Sequence, residues 1–136
     1  MPTQARVVWD QSFTSYDFGV DHPMSPTRLD LTARLCGAFG LFDGTDVEIV
    51  NPAVPGDEVL LAVHDAEYVA AVRRASVEPW DADQSRGLGT EDDPAFVGMH
   101  EVSARIAAGT QSLAAAVVPE QNPGSLGGVG ADRESK

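Results

Sequence analysis

One short segment combines a histidine, two prolines and an arginine at a spacing that suggests an anion or carbonyl site. It reads His22-Pro23-Met24-Ser25-Pro26-Thr27-Arg28. Two prolines three residues apart make the segment stiff, because each fixes its own φ and restricts the residue before it. With Ser25 as N-cap and Pro26 as the first helical residue, Arg28 falls in the first turn of a helix. A cation there opposes the helix dipole, so Arg28 is expected to have an anionic or carbonyl partner; the alternative is a solvated surface arginine.

A second candidate is an acidic cluster, Glu91-Asp92-Asp93, directly before Pro94. Carboxylates accept hydrogen bonds and attract cations, so the cluster could bind a cation or the backbone amides of a substrate. The alternatives are a solvated loop and a charge cluster at the N-terminus of a helix. The residue types alone leave these alternatives open.

The histidines and the single cysteine give no metal or nucleophile pattern. His22, His64 and His100 include no pair at a ligand spacing such as i, i+4, and Cys36 is alone. His64 precedes a helix N-cap and is predicted to be structural, whereas His100 is predicted to be an exposed residue of the last helix. Cys36 lies in an apolar helical pattern and is predicted to be a small core residue.

Length and charge limit the function classes. The chain has 136 residues, enough for one domain, with 21 acidic and 9 basic residues and a formal net charge of −12. This balance argues against nucleic-acid and acidic-membrane binding, which require basic patches. No apolar run is as long as a membrane span or forms a signal-peptide core, so a cytoplasmic location is expected.

Short apolar runs alternate with helical periodicity, which predicts an α/β fold. Val7-Val8-Trp9 lies in a strand predicted over residues 6–10 and, lacking polar alternation, is expected to be buried on both faces. A helix from residue 29 to 39 and a strand at 47–50 complete a βαβ unit. The other predictions are a loop at 11–26, a short helix from 55, a helix at 66–76 capped by Asp65, an irregular acidic segment at 77–94 and a helix at 98–118.

The last predicted helix is slim, because Ala107, Ala108 and Gly109 have small side chains that allow close packing against a sheet. Residues 119–136 differ in character, with many glycines and prolines and no apolar period, and are predicted to be a disordered tail. A third strand would be expected after the helix, and the sequence offers none.

Four segments together resemble the N-terminal part of the zinc-dependent deacetylases of the histone deacetylase superfamily, and look closest to the bacterial acetoin-utilisation deacetylases. The resemblance covers about residues 5–117. The segments that carry it are Tyr16-Asp17-Phe18-Gly19 with His22-Pro23-Met24-Ser25-Pro26-Thr27-Arg28, then His64-Asp65-Ala66-Glu67-Tyr68-Val69, then Gly87-Leu88-Gly89-Thr90-Glu91-Asp92-Asp93-Pro94-Ala95-Phe96, and the helix from Gly98.

The resemblance implies an arginase/deacetylase-type three-layer α/β fold, incomplete here, with helices on both faces of a mostly parallel sheet. It places Arg28 near the inner end of the active-site tunnel where acetate passes, with His22 and Pro23 as structural residues of that product channel. It makes Asp92 the rim aspartate that accepts hydrogen bonds from the substrate's backbone amides. Asp93, one position on, is expected to matter much less than Asp92 if its side chain points to solvent. The substrates implied for the full-length family are acetylated lysine in proteins and small acyl amides.

The family's His-His pair, zinc ligands and transition-state tyrosine lie downstream of the resembling segments. No catalytic residue, metal ligand or cofactor is therefore predicted in this chain, although full-length members use zinc. Residues 1–118 are interpreted as the N-terminal portion of a deacetylase domain and 119–136 as a non-homologous tail. The chain is then an inactive piece of a deacetylase, or alternatively a noncatalytic interaction module that uses the rim loops. Exposed apolar faces are expected to favour self-association.

Overall fold

The computed structural model describes residues 5–117. Within that range the chain forms two β-strands, four α-helices and three short 3-10 helices, in an order that confirms the predicted α/β class. The strands and α-helices are β1 (Ala5–Val8), α1 (Thr27–Ala38), β2 (Val47–Val50), α2 (Asp57–Leu61), α3 (Ala66–Val77) and α4 (Met99–Val117). The 3-10 helices are Gln11–Ser15, Pro79–Asp81 and Gln84–Arg86. The predicted tail at 119–136 lies outside the described residues.

The two strands pair in parallel, with Val7 opposite Ile49, and α1 connects them. The prediction that β1 is buried on both faces is wrong. Its first two residues are exposed and its valines are only half-buried, because β1 and β2 are the only strands in the described range. Arg6 and Glu48, which face each other across the pair, form a salt bridge of 2.8 Å.

The segment between β1 and α1 is more regular than the predicted loop. The Asp10 carboxylate accepts a hydrogen bond from the Ser12 backbone N–H at 2.8 Å and starts the first 3-10 helix. Helix α1 begins at Thr27, one residue after the start that the capping pattern predicts and two before the start that the apolar spacing predicts, with Pro26 as its N-cap. The Ser25 hydroxyl still contributes, since it accepts a hydrogen bond from the Thr27 N–H at 3.3 Å. The first turn of α1 therefore contains Arg28, as predicted.

The core lies between α3, α4 and the segment that joins them. Ala71 and Ala75 of α3 pack with Leu88 and Met99 and are almost fully buried. Helix α3 starts as predicted, because the Asp65 carboxylate accepts a hydrogen bond from the Tyr68 N–H at 2.7 Å. Close packing of α4 on the sheet is also found, since a Cβ added to Gly109 would lie 2.5 Å from Val8 Cγ1.

Helix α1 takes no part in this core. It has no buried residue, and its predicted core cysteine, Cys36, is only half-buried. Its large apolar side chains and those just after it are exposed, namely Leu29, Leu31, Leu35, Phe39 and Leu41. The spacing of these residues predicts the helix correctly but does not predict what covers it. No helix in the part of the chain described here is long and apolar enough to cross a membrane.

Candidate functional site

The acidic cluster lies on a tight loop before α4, which we call the rim loop (residues 89–93). The Gly89 N–H donates to the Asp93 carbonyl at 2.9 Å, and the Asp93 N–H donates to the Thr90 hydroxyl at 3.1 Å. Gly89 has φ +72°, and a Cβ there would lie 2.7 Å from the Ala82 Cβ. Glycine is therefore required at this position by both conformation and space.

Arg86 secures the start of the rim loop. Its guanidinium contacts Glu67 of α3 at 2.9 Å and Asp83 at 3.1 Å. The hydrogen bond and charge of Glu67 raise the pKa of Arg86, and hydrogen bonds from Ser85 lower the pKa of Asp83. These pairs tie the segment before the loop to α3 and fix where the loop begins.

The rim loop and the His22-Pro23 segment come together around one cleft of about 390 Å³, which we call the rim groove. Asp92 is exposed and lines this groove, so two of the segments identified in the sequence meet although they are far apart along the chain. The lining residues are Phe18, Asp21, His22, Pro23, Glu91, Asp92 and Pro94.

His22 is held by local contacts on its side of the rim groove. Its Nδ1 accepts a hydrogen bond from the Met24 N–H at 3.1 Å. Its ring meets Phe18 edge-on with centroids 4.6 Å apart, and Phe18 packs in turn against Phe96, next to the rim loop, at 5.9 Å. This aromatic row links the segment before α1 to the segment before α4.

Arg28 lies at a different cavity, of about 500 Å³, between the start of α1 and α4. Its side chain is exposed, and within residues 5–117 the guanidinium has no ion-pair or hydrogen-bond partner. The expected partner is therefore not found in the described part of this chain. The other residues that line this cavity are Tyr16, Met24, Ser25, Pro26, Leu29, Ser103, Ile106 and Ala107.

Asp93 does not point to solvent, so the condition under which it was expected to matter less than Asp92 is not met. It is half-buried and lines a third cavity of about 190 Å³, which we call the Asp93 cavity, together with Tyr16 and Tyr68. Burial raises the pKa of Asp93. Burial also raises the pKa of Tyr16, with the negative charges of Asp93 and Tyr68 adding to the effect. The hydrogen bonds that close the rim loop direct one carboxylate outward and the next one inward.

His100 is buried, so its predicted exposure is also wrong. Its Nε2 accepts a hydrogen bond from Arg73 Nε at 3.1 Å, and its backbone N–H donates to the Ser76 hydroxyl at 3.2 Å. The N-terminal turn of α4 is pressed against α3, which the sequence of α4 alone does not show. His64, by contrast, is exposed, with its ring 5.3 Å from that of Tyr68.

A metal site does not fit the residues that are present. Within residues 5–117, no three His, Cys, Asp or Glu side chains lie close enough together to hold a metal ion. The zinc implied by the sequence resemblance therefore has no ligand set in the described part of the chain.

Comparison with known proteins gives one family. The sequence profile of the histone deacetylase domain matches residues 22–126, a range that contains His22, Pro23, Arg28 and Asp92. The match extends beyond the described residues and past the predicted boundary at residue 118, and that boundary stays a prediction.

Curated relatives carry the name acetoin utilization protein AcuC. The protein from Bacillus subtilis (strain 168) is 36% identical over 125 residues, which cover 89% of this chain and 32% of the relative. Those from Staphylococcus aureus (strain MSSA476) and Staphylococcus xylosus are 31% and 32% identical, over 82% and 79% of this chain. This chain spans about a third of the length of these relatives. No solved structure matches it.

Proposed function

This chain belongs to the histone deacetylase domain family, and we propose that it supplies the substrate-orienting rim and part of the product channel of an enzyme that hydrolyses acetyl-lysine-type amides. The observation that carries the proposal is the rim groove, in which Asp92 meets His22 and Pro23. The chain spans about a third of its curated relatives, so the activity is that of a complete domain.

Asp92 has the position and chemistry to orient a peptide substrate. Its carboxylate is exposed at the groove and makes no ion pair within the described range. An ionised carboxylate accepts charge-assisted hydrogen bonds from backbone N–H groups. It would therefore hold the main chain of an acylated lysine and leave the side chain free to enter the domain.

Arg28 has the chemistry to handle the product. Hydrolysis of an acetyl amide releases a carboxylate, which a guanidinium binds through paired N–H donors. The Arg28 guanidinium borders a cavity of about 500 Å³ and is not already neutralised by an acidic residue of the described chain. His22 and Pro23 would act structurally, by fixing the segment that leads to Arg28.

The chain alone is proposed to be inactive, because within residues 5–117 no three His, Cys, Asp or Glu side chains lie close enough together to hold a metal ion. The chemical groups of the reaction would come from a complementary part of the domain. A cytoplasmic location, as the sequence predicts, is part of this proposal.

The test is a chimera in which this chain replaces the aligned N-terminal third of the Bacillus subtilis relative. We expect the chimera to deacetylate an acetyl-lysine peptide and to contain stoichiometric zinc, whereas the 136-residue chain alone does neither. A folded, zinc-loaded chimera without activity would contradict the proposed role of this chain. Turnover by the chain alone that a chelator abolishes would contradict its inactivity.

The apolar surface of α1 favours a second candidate, a noncatalytic interaction module that associates through this face. Leu31, Leu35 and Phe39 are each more than half exposed. Contiguous apolar surface of this kind is typical of interfaces. In this alternative the chain self-associates, and the rim loops bind a partner without hydrolysing it.

A further inference from the structure

The Asp93 cavity carries an unusual combination of groups that the proposed function does not use. A half-buried carboxyl from Asp93 shares it with the side chains of Tyr16, Tyr68 and His64. Its apolar wall includes Leu88, which is 1% exposed. It is distinct from the rim groove, which is lined by Asp92 on the other side of the same loop.

The Asp93 carboxyl in this cavity has no lysine or arginine partner within the described chain. No lysine or arginine lines it, and within residues 5–117 the Asp93 carboxylate makes no ion pair or side-chain hydrogen bond. Arg73 of α3 is bonded to His100, which also lines the cavity, and is paired with Asp57. The cavity therefore presents a carboxylate beside aromatic rings and two histidines, His64 and His100, with no lysine or arginine in its wall.

Carboxylates and the faces of aromatic rings share one complementary ligand, an organic cation. Tyrosine faces attract ammonium groups, and the attraction grows as water is removed. Apolar walls favour the alkyl part of such an ion. A volume of about 190 Å³ is below the roughly 300–1,000 Å³ of common ligand pockets, so the ligand must be small.

We propose that the Asp93 cavity binds a small alkylammonium ion, with Asp93 as counter-ion and Tyr16 and Tyr68 as aromatic walls. Ser103 of α4 also lines the cavity, so a larger side chain at this position would reduce the space for a ligand. The proposal does not depend on deacetylase activity, because all the groups it uses belong to this chain.

Tetramethylammonium chloride is the probe, and its binding to the 136-residue chain is followed by NMR chemical shifts of the cavity residues. We expect saturable shifts with tetramethylammonium and none with an equal concentration of tert-butanol or potassium chloride. Asp93→Asn should weaken binding by about tenfold or more, because it removes the paired charge. Asp92→Asn, the matched control at the adjacent position, should leave binding unchanged.

Two further measurements keep the proposal falsifiable if Asp93→Asn unfolds. Ser103→Leu should block the cavity and abolish binding while keeping every acidic group. In the unmodified chain, saturating tetramethylammonium should lower the pKa of Asp93 followed through its carboxyl carbon, since a nearby cation favours the ionised form. The proposal would be overturned if tetramethylammonium did not bind, or if potassium bound equally well. It would also be overturned if Asp92→Asn and Asp93→Asn weakened binding equally, or if a folded Ser103→Leu variant bound tetramethylammonium fully.

Discussion

Asp92 and Asp93 are consecutive, yet their side chains line different cavities. Asp92 is exposed at the rim groove, and Asp93 is half-buried beside Tyr16 and Tyr68. The division follows from the hydrogen bonds between Gly89 and Asp93 and between Asp93 and Thr90, which close the rim loop. The two carboxylates should therefore differ in function although the sequence presents them as one acidic cluster.

Asp92→Ala in the chimera should lower kcat/KM for a peptide substrate by about 10- to 1000-fold, because a charged acceptor is lost and the substrate is misplaced. Zinc content should not change, since Asp92 belongs to the rim. Glu91→Ala is the matched control, as Glu91 is an exposed neighbour on the same groove. Similar, salt-sensitive losses for both variants would indicate a general electrostatic effect and contradict a specific role for Asp92.

Asp93 and Asp10 should affect stability with opposite dependence on pH. Burial raises the pKa of Asp93 above its ordinary value of 3.8, so the folded state binds that proton more tightly than the unfolded chain does. The stability that this provides is complete below pH 3.8 and is lost as pH rises through the folded pKa. Hydrogen bonds from Ser12 lower the pKa of Asp10, so its contribution is present above pH 3.8 and lost as pH falls through the folded pKa.

Thermal unfolding of Asp93→Asn and Asp10→Asn across a range of about pH 3 to 7, which includes the ordinary pKa of an aspartate, tests this contrast. At neutral pH, Asp93→Asn should unfold at a higher temperature than the original chain, and Asp10→Asn at a lower one. Both differences should shrink in acid, where the carboxyl groups become neutral. Shifts of the same sign for the two variants would refute the assignment.

Features of this structure that depend on neighbouring residues can be predicted from the sequence, whereas contacts between residues far apart in the chain mostly cannot. Asp65 can be identified as a cap because the N–H it binds is three residues away. The burial of His100 depends on Arg73, 27 residues earlier, and nothing in the sequence near His100 specifies that neighbour. The one available signal lies in α3, where Arg73 and Ser76 share a face with buried Val69. The rim groove could be anticipated only through the family resemblance, because its two sides are far apart in the chain.

His100→Ala should destabilise the chain by about 1–3 kcal/mol, because the Arg73 hydrogen bond is lost and a buried side chain is removed. His64→Ala should change stability by less than about 0.5 kcal/mol, since His64 is exposed. Urea unfolding followed by circular dichroism measures both. His100→Gln, which retains an acceptor, should recover part of the loss. Equal effects of the two alanine substitutions would show that the contact with Arg73 contributes nothing.

The exposed face of α1 should drive self-association of the chain. Replacing Leu31 and Leu35, which are 59% and 58% exposed, by glutamine should reduce dimer formation in sedimentation velocity and lower the binding of a hydrophobic dye. Val77→Gln removes a valine that is also exposed but lies on α3, and it should have little effect. A chain that is monomeric before any substitution would contradict this prediction.

Two helical glycines allow the packing of α4 on the sheet to be tested against an internal reference. Gly37 in α1 has no atom within 4 Å of an added Cβ, whereas at Gly109 in α4 the added Cβ would lie 2.5 Å from Val8 Cγ1 and 3.3 Å from Pro52 Cγ. Gly37→Ala should stabilise the chain by about 0.5–1 kcal/mol, because alanine has the higher helix propensity. At Gly109 the same gain is opposed by a clash with β1 and with buried Pro52, so Gly109→Ala should lower the free energy of unfolding. If both substitutions stabilise the chain equally in urea unfolding, α4 does not pack on β1 as closely as described.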